Sequence, residues 1–214
     1  GKSTLMLHLL GLLEPRAGTI WYGDTNFTAL EEEAREGILR RTGVLFQSGA
    51  LWSHMTLAEN VSLALEEMTD LTPEEISDVA RLKLALVGLR GFEDYYPSEI
   101  SGGMRKRAGL ARAMALDPDV LFFDEPSAGL DPLSARRLDE LILELSYSLG
   151  TTIVLVTHEL ESIFTVANNS IFLDTDTRTQ AAVGDPKFLR AHSNSDLVRT
   201  FLGRGVDPRV TEAP

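Results

Sequence analysis

The sequence VLFFDEPSAGLDP, residues 120–132, contains a short apolar run that ends in two adjacent carboxylates. The run of Val, Leu and Phe predicts a buried strand, and Asp124 and Glu125 follow directly where that strand ends. Charges at the end of a buried strand are costly unless a cation or hydrogen-bond donors compensate them. The pattern favours a site for a cation such as Mg²⁺ at this point, and the alternative is an ordinary solvated turn.

The next segment contains a helix and then a second apolar strand. Asp131 and Pro132 predict the first residues of a helix that ends at Gly150. The run TTIVLVTH, residues 151–158, predicts a strand buried on both faces, as in a parallel sheet. His158 at its end is either a structural residue or a group that contacts a phosphate and a water molecule. Strands that alternate with helices in this way are typical of an α/β layered domain.

Residues 48–116, upstream of the acidic strand, have a mainly helical pattern. Thr56 with Glu59, and Thr72 with Glu75, have the spacing of capping boxes, and an apolar helical pattern follows each pair. We therefore expect a block of helices inserted between strands.

A third helix of this block is predicted to begin at the sequence Ser101-Gly102-Gly103. Free backbone amides and the helix dipole at such a start can bind an anion, and two glycines let the backbone approach it closely. The alternative is an N-cap serine in a flexible loop.

The first residues of the chain, GKST, match the second half of the phosphate-binding pattern G-x-x-x-x-G-K-[ST]. A helix predicted over residues 3–13 follows them, which is the context that this motif requires. Strands are predicted at 18–24 and 42–47, and Gln47 ends the second of them. Gln47 is either a ligand of Mg²⁺ or water, or an ordinary polar strand end.

The composition excludes several classes of protein. A chain of 214 residues with 43% hydrophobic residues can bury a core, and no apolar run is long enough to span a bilayer. The absence of cysteine excludes a disulfide framework and thiolate sites. A formal net charge of -12 disfavours nonspecific binding to nucleic acid, so we expect no nucleic-acid partner. A phosphate ligand must then be held by local geometry.

In this order, the motifs resemble the ATP-binding-cassette (ABC) ATPases along nearly the whole chain. The matching stretches are GKST at the end of Walker A, Gln47 in the Q-loop, ISGGM (100–104) in the signature, VLFFDE (120–125) in Walker B, AGLD (128–131) in the D-loop, and the switch His158. The resemblance implies a P-loop NTPase (RecA-like) α/β core with a parallel sheet, formed by residues 1–47 and 117–202. It also implies a helical signature subdomain at 48–116, and we expect a flexible tail at 203–214.

The resemblance further implies an ATPase that binds ATP and Mg²⁺. The implied catalytic residues are Glu125, His158 and Gln47. Mg²⁺ would be held by Ser3, Gln47 and Asp124, the last through water. The implied nucleotide-binding residues are Gly1, Lys2, Ser3, Thr4, Gln47, Ser101, Gly102, Gly103, Asp124 and His158. Because neither half-site surrounds the γ-phosphate, the resemblance implies a head-to-tail homodimer with ATP between the two copies.

Two loops resemble the ATPases of MCE-associated phospholipid transporters, the maintenance-of-lipid-asymmetry (Mla) type. These are LFQSGALWSHMTLAENV after the second strand, and the signature, where Met104 stands in place of the more common Gln. This implies integral-membrane permease subunits and an MCE-domain lipid-binding protein as partners, at the cytoplasmic face of the inner membrane. The alternatives are an ABC transporter for another substrate, a soluble ABC ATPase that is not a transporter, and a regulator that does not hydrolyse nucleotide.

Three expectations concern less specific features. Leu51, Trp52 and Met55 either dock a partner's helix or pack on the helical block. Four basic residues on the signature helix are expected to form a solvated face, and the alternative is that they contact the phosphate or a neighbouring subunit: Arg105, Lys106, Arg107 and Arg112. Because the chain begins inside the phosphate-binding motif, we also expect the natural protein to be longer at its N-terminus.

Overall fold

The computed structural model describes residues 1–47 and 49–203. Of the predicted tail, only Gly203 falls in this range, where it ends the last helix, and residues 204–214 lie outside it. No helix among the described residues is both long enough and apolar enough to cross a membrane.

The described helices and strands alternate along much of the chain. The helices are α1 (Lys2–Leu9), α2 (Glu32–Leu39), α3 (Leu57–Met68), α4 (Pro73–Leu86), α5 (Gly102–Ala113), α6 (Pro132–Leu149), α7 (Leu160–Val166), α8 (Pro186–His192) and α9 (Asp196–Gly203). The strands are β1 (Trp21–Tyr22), β2 (Thr25–Asn26), β3 (Thr42–Leu45), β4 (Val120–Asp124), β5 (Thr152–Val156), β6 (Ser170–Leu173) and β7 (Gln180–Gly184).

A parallel sheet of order β3-β4-β5 forms the centre of the fold, as predicted. Side chains of β4 alternate between two layers, because successive residues of a strand point to opposite faces. Leu121 and Phe123 join the core formed with the helices α3 to α6, whereas Phe122 packs with Met6 and Leu10 of α1. The strand that ends in the two carboxylates is therefore covered on both faces.

The prediction that residues 151–158 form a strand buried on both faces is wrong in its burial. The strand β5 spans Thr152–Val156, but only Val156 is buried. Among the described strands, β5 pairs with β4 alone and borders the sheet, so its apolar residues are covered less completely than those of β4.

Helices α3, α4 and α5 pack together and onto the sheet. Both predicted capping boxes are present: Thr56 and Glu59 start α3, and Thr72 and Glu75 start α4. In each box the threonine hydroxyl accepts a hydrogen bond from the glutamate backbone N–H, and the glutamate carboxylate accepts one from the threonine N–H.

Two glycines bring α5 against the sheet and the loop that follows β3. A Cβ on Gly43 in β3 would lie 2.1 Å from the carbonyl oxygen of Ala113 on α5. A Cβ on Gly109 in α5 would lie 2.9 Å from the carbonyl oxygen of Gly49. Both distances are shorter than carbon and oxygen tolerate, so this close packing requires glycine at both positions.

Several elements differ from the sequence prediction. Helix α1 ends at Leu9 rather than at residue 13, because the chain turns at Gly11, where φ is +70°. The predicted strand at 18–24 contributes only Trp21–Tyr22, which pairs with β2 in a small antiparallel hairpin outside the central sheet.

The C-terminal part of the described chain has a small core of its own. Strand β6 pairs antiparallel with β7, and this hairpin packs with helices α7, α8 and α9. Its buried apolar residues are Ile163, Leu189, Val198 and Leu202.

Candidate active site

The two carboxylates of the opening motif lie at the carboxyl end of the central strand. Asp124 is the last residue of β4. Glu125 has a left-handed backbone, with φ of +49°, and its backbone N–H donates to the carbonyl of Val156 at 2.8 Å. The neighbouring strand β5 therefore fixes the turn that carries Glu125.

The start of α1 meets this strand end. The Ser3 hydroxyl donates to Asp124 Oδ1 at 3.0 Å, across 121 residues of sequence. Gly1 is the N-cap of α1, and Lys2, Ser3 and Thr4 are all exposed in its first turn. The structure thus brings a hydroxyl and a carboxylate together at the strand end, and these hard oxygen donors are the kind that Mg²⁺ prefers.

His158 reaches the second carboxylate from the segment after β5. Its Nδ1–H donates to Glu125 Oε1 at 2.8 Å, although the imidazole side chain is 61% exposed. This hydrogen bond, with the charge of Glu125, raises the pKa of His158, while the nearby charge of Lys2 acts in the opposite direction. The other oxygen, Glu125 Oε2, is buried and has no hydrogen-bond partner among the described residues.

Gln47 lies in the loop after β3, where it is exposed. Its backbone carbonyl accepts a hydrogen bond from the ammonium group of Lys106 on α5. Burial lowers the pKa of Lys106, and the charge of Glu125 opposes this shift. The site therefore includes a buried cation that the sequence prediction had assigned to a solvated face.

The Ser101-Gly102-Gly103 turn begins α5, as predicted. The Ser101 hydroxyl accepts from the backbone N–H of Met104 at 3.2 Å, so Ser101 is the N-cap of the helix. Within residues 1–47 and 49–203, no hydrogen bond or ion pair joins this turn to the cluster formed by Ser3, Asp124, Glu125 and His158. The structure thus assembles one part of the predicted site and leaves the signature turn separate.

The prediction of a solvated basic face on α5 holds for Arg105, which is exposed, and is wrong for Lys106, which is buried, while Arg107 and Arg112 are half-buried. All four side chains donate to backbone carbonyls. Arg107 donates to the carbonyls of Val87 at 3.0 Å and Gly88 at 3.2 Å. Arg105 donates to Ile100 at 2.7 Å, and Arg112 donates to Ala50. Val87 and Gly88 directly follow the last residue of α4, where carbonyls lack partners within the helix, and Arg107 supplies a donor to both.

The apolar loop before α3 is divided between core and surface. Leu51 packs against the main core, whereas Trp52 is 52% exposed. Asn60, which no motif in the sequence had indicated, is fully buried in α3. Its amide accepts from the Trp52 N–H at 2.7 Å and donates to the carbonyls of Trp52, Met55 and Thr56. A polar residue inside the apolar pattern of α3 was the only signal of this role.

A buried polar network joins the segments that follow Glu125 and His158. The Ser162 hydroxyl donates to Asp139 Oδ2 at 2.7 Å and lies 3.4 Å from the Ser127 hydroxyl. Asp139 is buried on α6, and this burial raises the pKa of its carboxyl group. This network was also not predicted, because its members are far apart in sequence.

Comparison with known proteins identifies the family. A family model described as ABC transporter matches residues 1–128. The chain belongs to the ABC transporter family.

Two solved ABC cassettes share its fold, which is that of a P-loop NTPase. One is cbiO1 from Clostridium perfringens, part of the ABC transporter complex cbiONQ. Its TM-score is 0.82 and its sequence identity is 27%, and the match covers 98% of this chain and 81% of cbiO1. The other is the ATP-binding cassette MJ0796, a dimer in a post-hydrolysis state bound to ADP and Pi, with a TM-score of 0.72 and 28% identity over 81% of this chain and 76% of that one.

Relatives within the ABC transporter family carry two different transport names. A Mycobacterium tuberculosis (strain H37Rv) protein, named probable ribonucleotide transport ATP-binding protein mkl, is 43% identical over 97% of this chain and 57% of its own length. The intermembrane phospholipid transport system ATP-binding protein MlaF of Escherichia coli K12 is 40% identical over 94% of this chain and 74% of its own length. The chain thus spans less than two thirds of mkl and about three quarters of MlaF.

Proposed function

We propose that the protein is the ATP-hydrolysing subunit of an ABC transporter and that it powers phospholipid transport. The observation that carries the ATPase proposal is the pairing of Ser3 with Asp124, and of His158 with Glu125, at the end of one central strand. Phosphoryl transfer depends on positioning and on neutralisation of charge, and this arrangement supports both.

The residues at the strand end fit a nucleotide with Mg²⁺. The Ser3 hydroxyl and the Asp124 carboxylate, already in contact, would hold the metal together with Gln47. Mg²⁺ supplies neutralisation of the phosphate charge when it is bound. Lys2 in the first turn of α1 adds a cation at the helix N-terminus, where phosphate binds.

Glu125 is suited to orient the attacking water and to accept its proton. His158 holds Oε1, and Oε2 has no hydrogen-bond partner among the described residues, so the carboxylate keeps an acceptor that a protein group does not occupy. The water oxygen forms a bond to the γ-phosphorus while the bond to the β–γ bridging oxygen breaks. ADP then carries away the electron pair of that bond, and inorganic phosphate is the second product.

The separate signature turn supports the proposal of a head-to-tail homodimer. Because Ser101-Gly102-Gly103 lies apart from the strand-end cluster, it would contact the nucleotide held by a second copy of the chain. The fold neighbour MJ0796 is itself a dimer. ATP would then hold the two copies together, and hydrolysis would release them.

The domain division remains part of the proposal. A RecA-like core of residues 1–47 and 117–202 would carry the catalytic groups, and the subdomain at 48–116 would carry the signature turn. The continuous apolar core between β4 and helices α3 to α5 supports close coupling of the two parts.

Phospholipid is the proposed cargo because MlaF is named for intermembrane phospholipid transport. The proposed partners are a membrane permease, which exposed Trp52 would help to dock, and an MCE-domain lipid-binding protein. The protein would then act at the cytoplasmic face of the inner membrane. Ribonucleotide transport is the second candidate, because the mkl relatives carry that name.

The test is phosphate release from ATP by the complete protein, purified with its membrane partner and reconstituted in vesicles. We expect hydrolysis that depends on Mg²⁺ and movement of a labelled phospholipid between vesicles and acceptor protein. Movement of a labelled ribonucleotide, without phospholipid movement, would favour the second candidate. Absence of hydrolysis in the assembled complex would overturn the ATPase proposal.

A further inference from the structure

Lys106 is a buried cation whose surroundings differ from those of an ordinary structural lysine. The residue is 7% exposed, and its ammonium group donates to the carbonyl of Gln47. Lys83, which is also buried, pairs with the carboxylate of Asp117. Within the described residues, Lys106 has no such ion pair, so its charge is not neutralised by direct contact.

The pKa of Lys106 responds to two opposing effects, burial and the charge of Glu125. The carboxylate of Glu125 raises the pKa of Lys106 against the effect of burial. Because Glu125 Oε1 is taken by His158 while Oε2 is buried without a partner, the carboxylate is only partly neutralised by its own contacts.

The face of α5 that carries Lys106 lies along the loop containing Gln47. Gly109 is one helical turn beyond Lys106, and a Cβ there would lie 2.9 Å from the Gly49 carbonyl oxygen. Arg112, a further turn along, donates to the carbonyl of Ala50. Successive turns of one helix thus hold the loop after β3, and this is the helix that Ser101 caps.

We propose that Lys106 is a positioning residue for hydrolysis, which fixes the main chain of Gln47 to the signature helix. The proposal rests on the proposed ATPase function. Helix α5 begins at the signature turn, which would contact the nucleotide of a partner copy, and it also holds Gln47 in the site of its own copy. Because α5 is a single helix, the positions of these two parts are coupled.

Three substitutions of Lys106 in the complete protein separate its two contributions. Lys106→Met removes both the hydrogen bond and the charge, Lys106→Gln keeps a donor without the charge, and Lys106→Arg keeps both. Arg107→Met is the matched control, because Arg107 is on the same helix and donates to the carbonyls of Val87 and Gly88, away from the site.

The primary measurement is steady-state ATP hydrolysis, with the affinity for a fluorescent ATP analogue measured separately. We expect Lys106→Met to lower kcat on the order of 10- to 100-fold with KM changed less than about threefold, since misplaced catalytic groups cost this much. Lys106→Arg should recover most of the loss and Lys106→Gln only part of it. Arg107→Met should retain kcat within about twofold.

A second measurement tests the contact without catalysis. We expect Lys106→Met to increase amide hydrogen exchange in the peptide that contains Gln47, with no such increase in Arg107→Met. Unchanged exchange and unchanged kcat in Lys106→Met would overturn the proposal, as would an equal loss of kcat in Arg107→Met. If the unsubstituted protein did not hydrolyse ATP, the ATPase proposal would fail, and the exchange result would still decide whether Lys106 fixes the loop.

Discussion

The strand-end cluster and the signature turn are two parts of the candidate site that the chain organises differently. At the strand end, Ser3 contacts Asp124 and His158 contacts Glu125, so groups distant in sequence meet inside one chain. At the signature turn, the hydrogen bonds that Ser101 accepts from described residues come from the backbone N–H groups of Met104 and Arg105 in its own helix. The strand-end groups are therefore assembled within one copy, whereas the turn makes no hydrogen bond or ion pair with them among the described residues, as the proposed dimer requires.

Substitution of the strand-end carboxylate should have the largest effect. We predict that Glu125→Gln lowers phosphate release by roughly 10²- to 10³-fold, because an amide cannot accept the proton from water. ATP-dependent dimers, measured by light scattering, should persist, since the amide preserves the shape of the site. Glu140→Gln, a change of an exposed residue on α6, is the control and should retain full activity. A Glu125→Gln protein with unchanged hydrolysis would contradict the assigned role.

Substitution at the signature turn should have a smaller effect of a different kind. A Cβ on Gly103 would lie 3.8 Å from Ser134, an ordinary contact, so Gly103→Asp should fold. We predict a loss of ATP-dependent dimerisation and hydrolysis of roughly 10- to 100-fold, because the new carboxylate repels phosphate. The affinity of the monomer for ATP should be unchanged.

Gly37→Asp makes the same chemical change on exposed α2, where a Cβ meets no atom within 4 Å. This control should dimerise and hydrolyse ATP like the unsubstituted protein. If Gly103→Asp weakened ATP binding by the monomer, the turn would belong to the strand-end part of the site, and the comparison would fail.

The buried network behind the strand end should influence stability more than chemistry. Because burial raises the pKa of Asp139, the folded protein holds a proton that the unfolded chain releases. The free energy of unfolding should therefore fall as pH rises from about 4, the ordinary pKa of Asp, through the raised pKa. We predict that Asp139→Asn removes this dependence. The difference obtained by subtracting the Tm of the unsubstituted protein from that of Asp139→Asn should then be larger at pH 8 than at pH 4.

Thermal unfolding across that pH range checks this prediction, and each kcal/mol corresponds to about 2–4 °C in Tm for a chain of this size. Asp78→Asn on the exposed face of α4 is the control. A parallel pH dependence in Asp139→Asn and the unsubstituted protein would exclude Asp139 as its source.

The smallest effect is expected far from both parts of the site. Thr72→Ala removes the capping box of α4 and should lower the free energy of unfolding by about 1 kcal/mol. Well below the Tm, kcat should not change, because α4 contributes no group to either part. Loss of activity at such temperatures would mean that the helical block communicates with the site through α4 as well as α5.

The sequence predicted features whose signals are local. The capping boxes at Thr56 and Thr72 need only three residues of spacing, and the parallel sheet followed from short apolar strands between helices. Motif order predicted which residues would meet at the end of β4. In contrast, β7 was missed, because its sequence QAAVG contains two alanines and has weak strand propensity.

The role of Lys106 could not be predicted, because its partner lies 59 residues away in sequence. Because Lys106 lies between Arg105 and Arg107 in the sequence, its residue type alone indicated a solvated face. The network of Ser127, Ser162 and Asp139 could not be predicted for the same reason, because its members are distant in sequence and meet through the packing of α7 on α6.

The absence of side chains at Gly43 and Gly109 sets the spacing between the signature helix and the sheet. With a Cβ at Gly43 only 2.1 Å from the Ala113 carbonyl oxygen, even one methyl group would push these layers apart. We therefore expect helix α5 and strand β3 to move together. If the proposed helical subdomain rotates in a transport cycle, the rotation should carry β3 with it or take place between α5 and its neighbours α3 and α4.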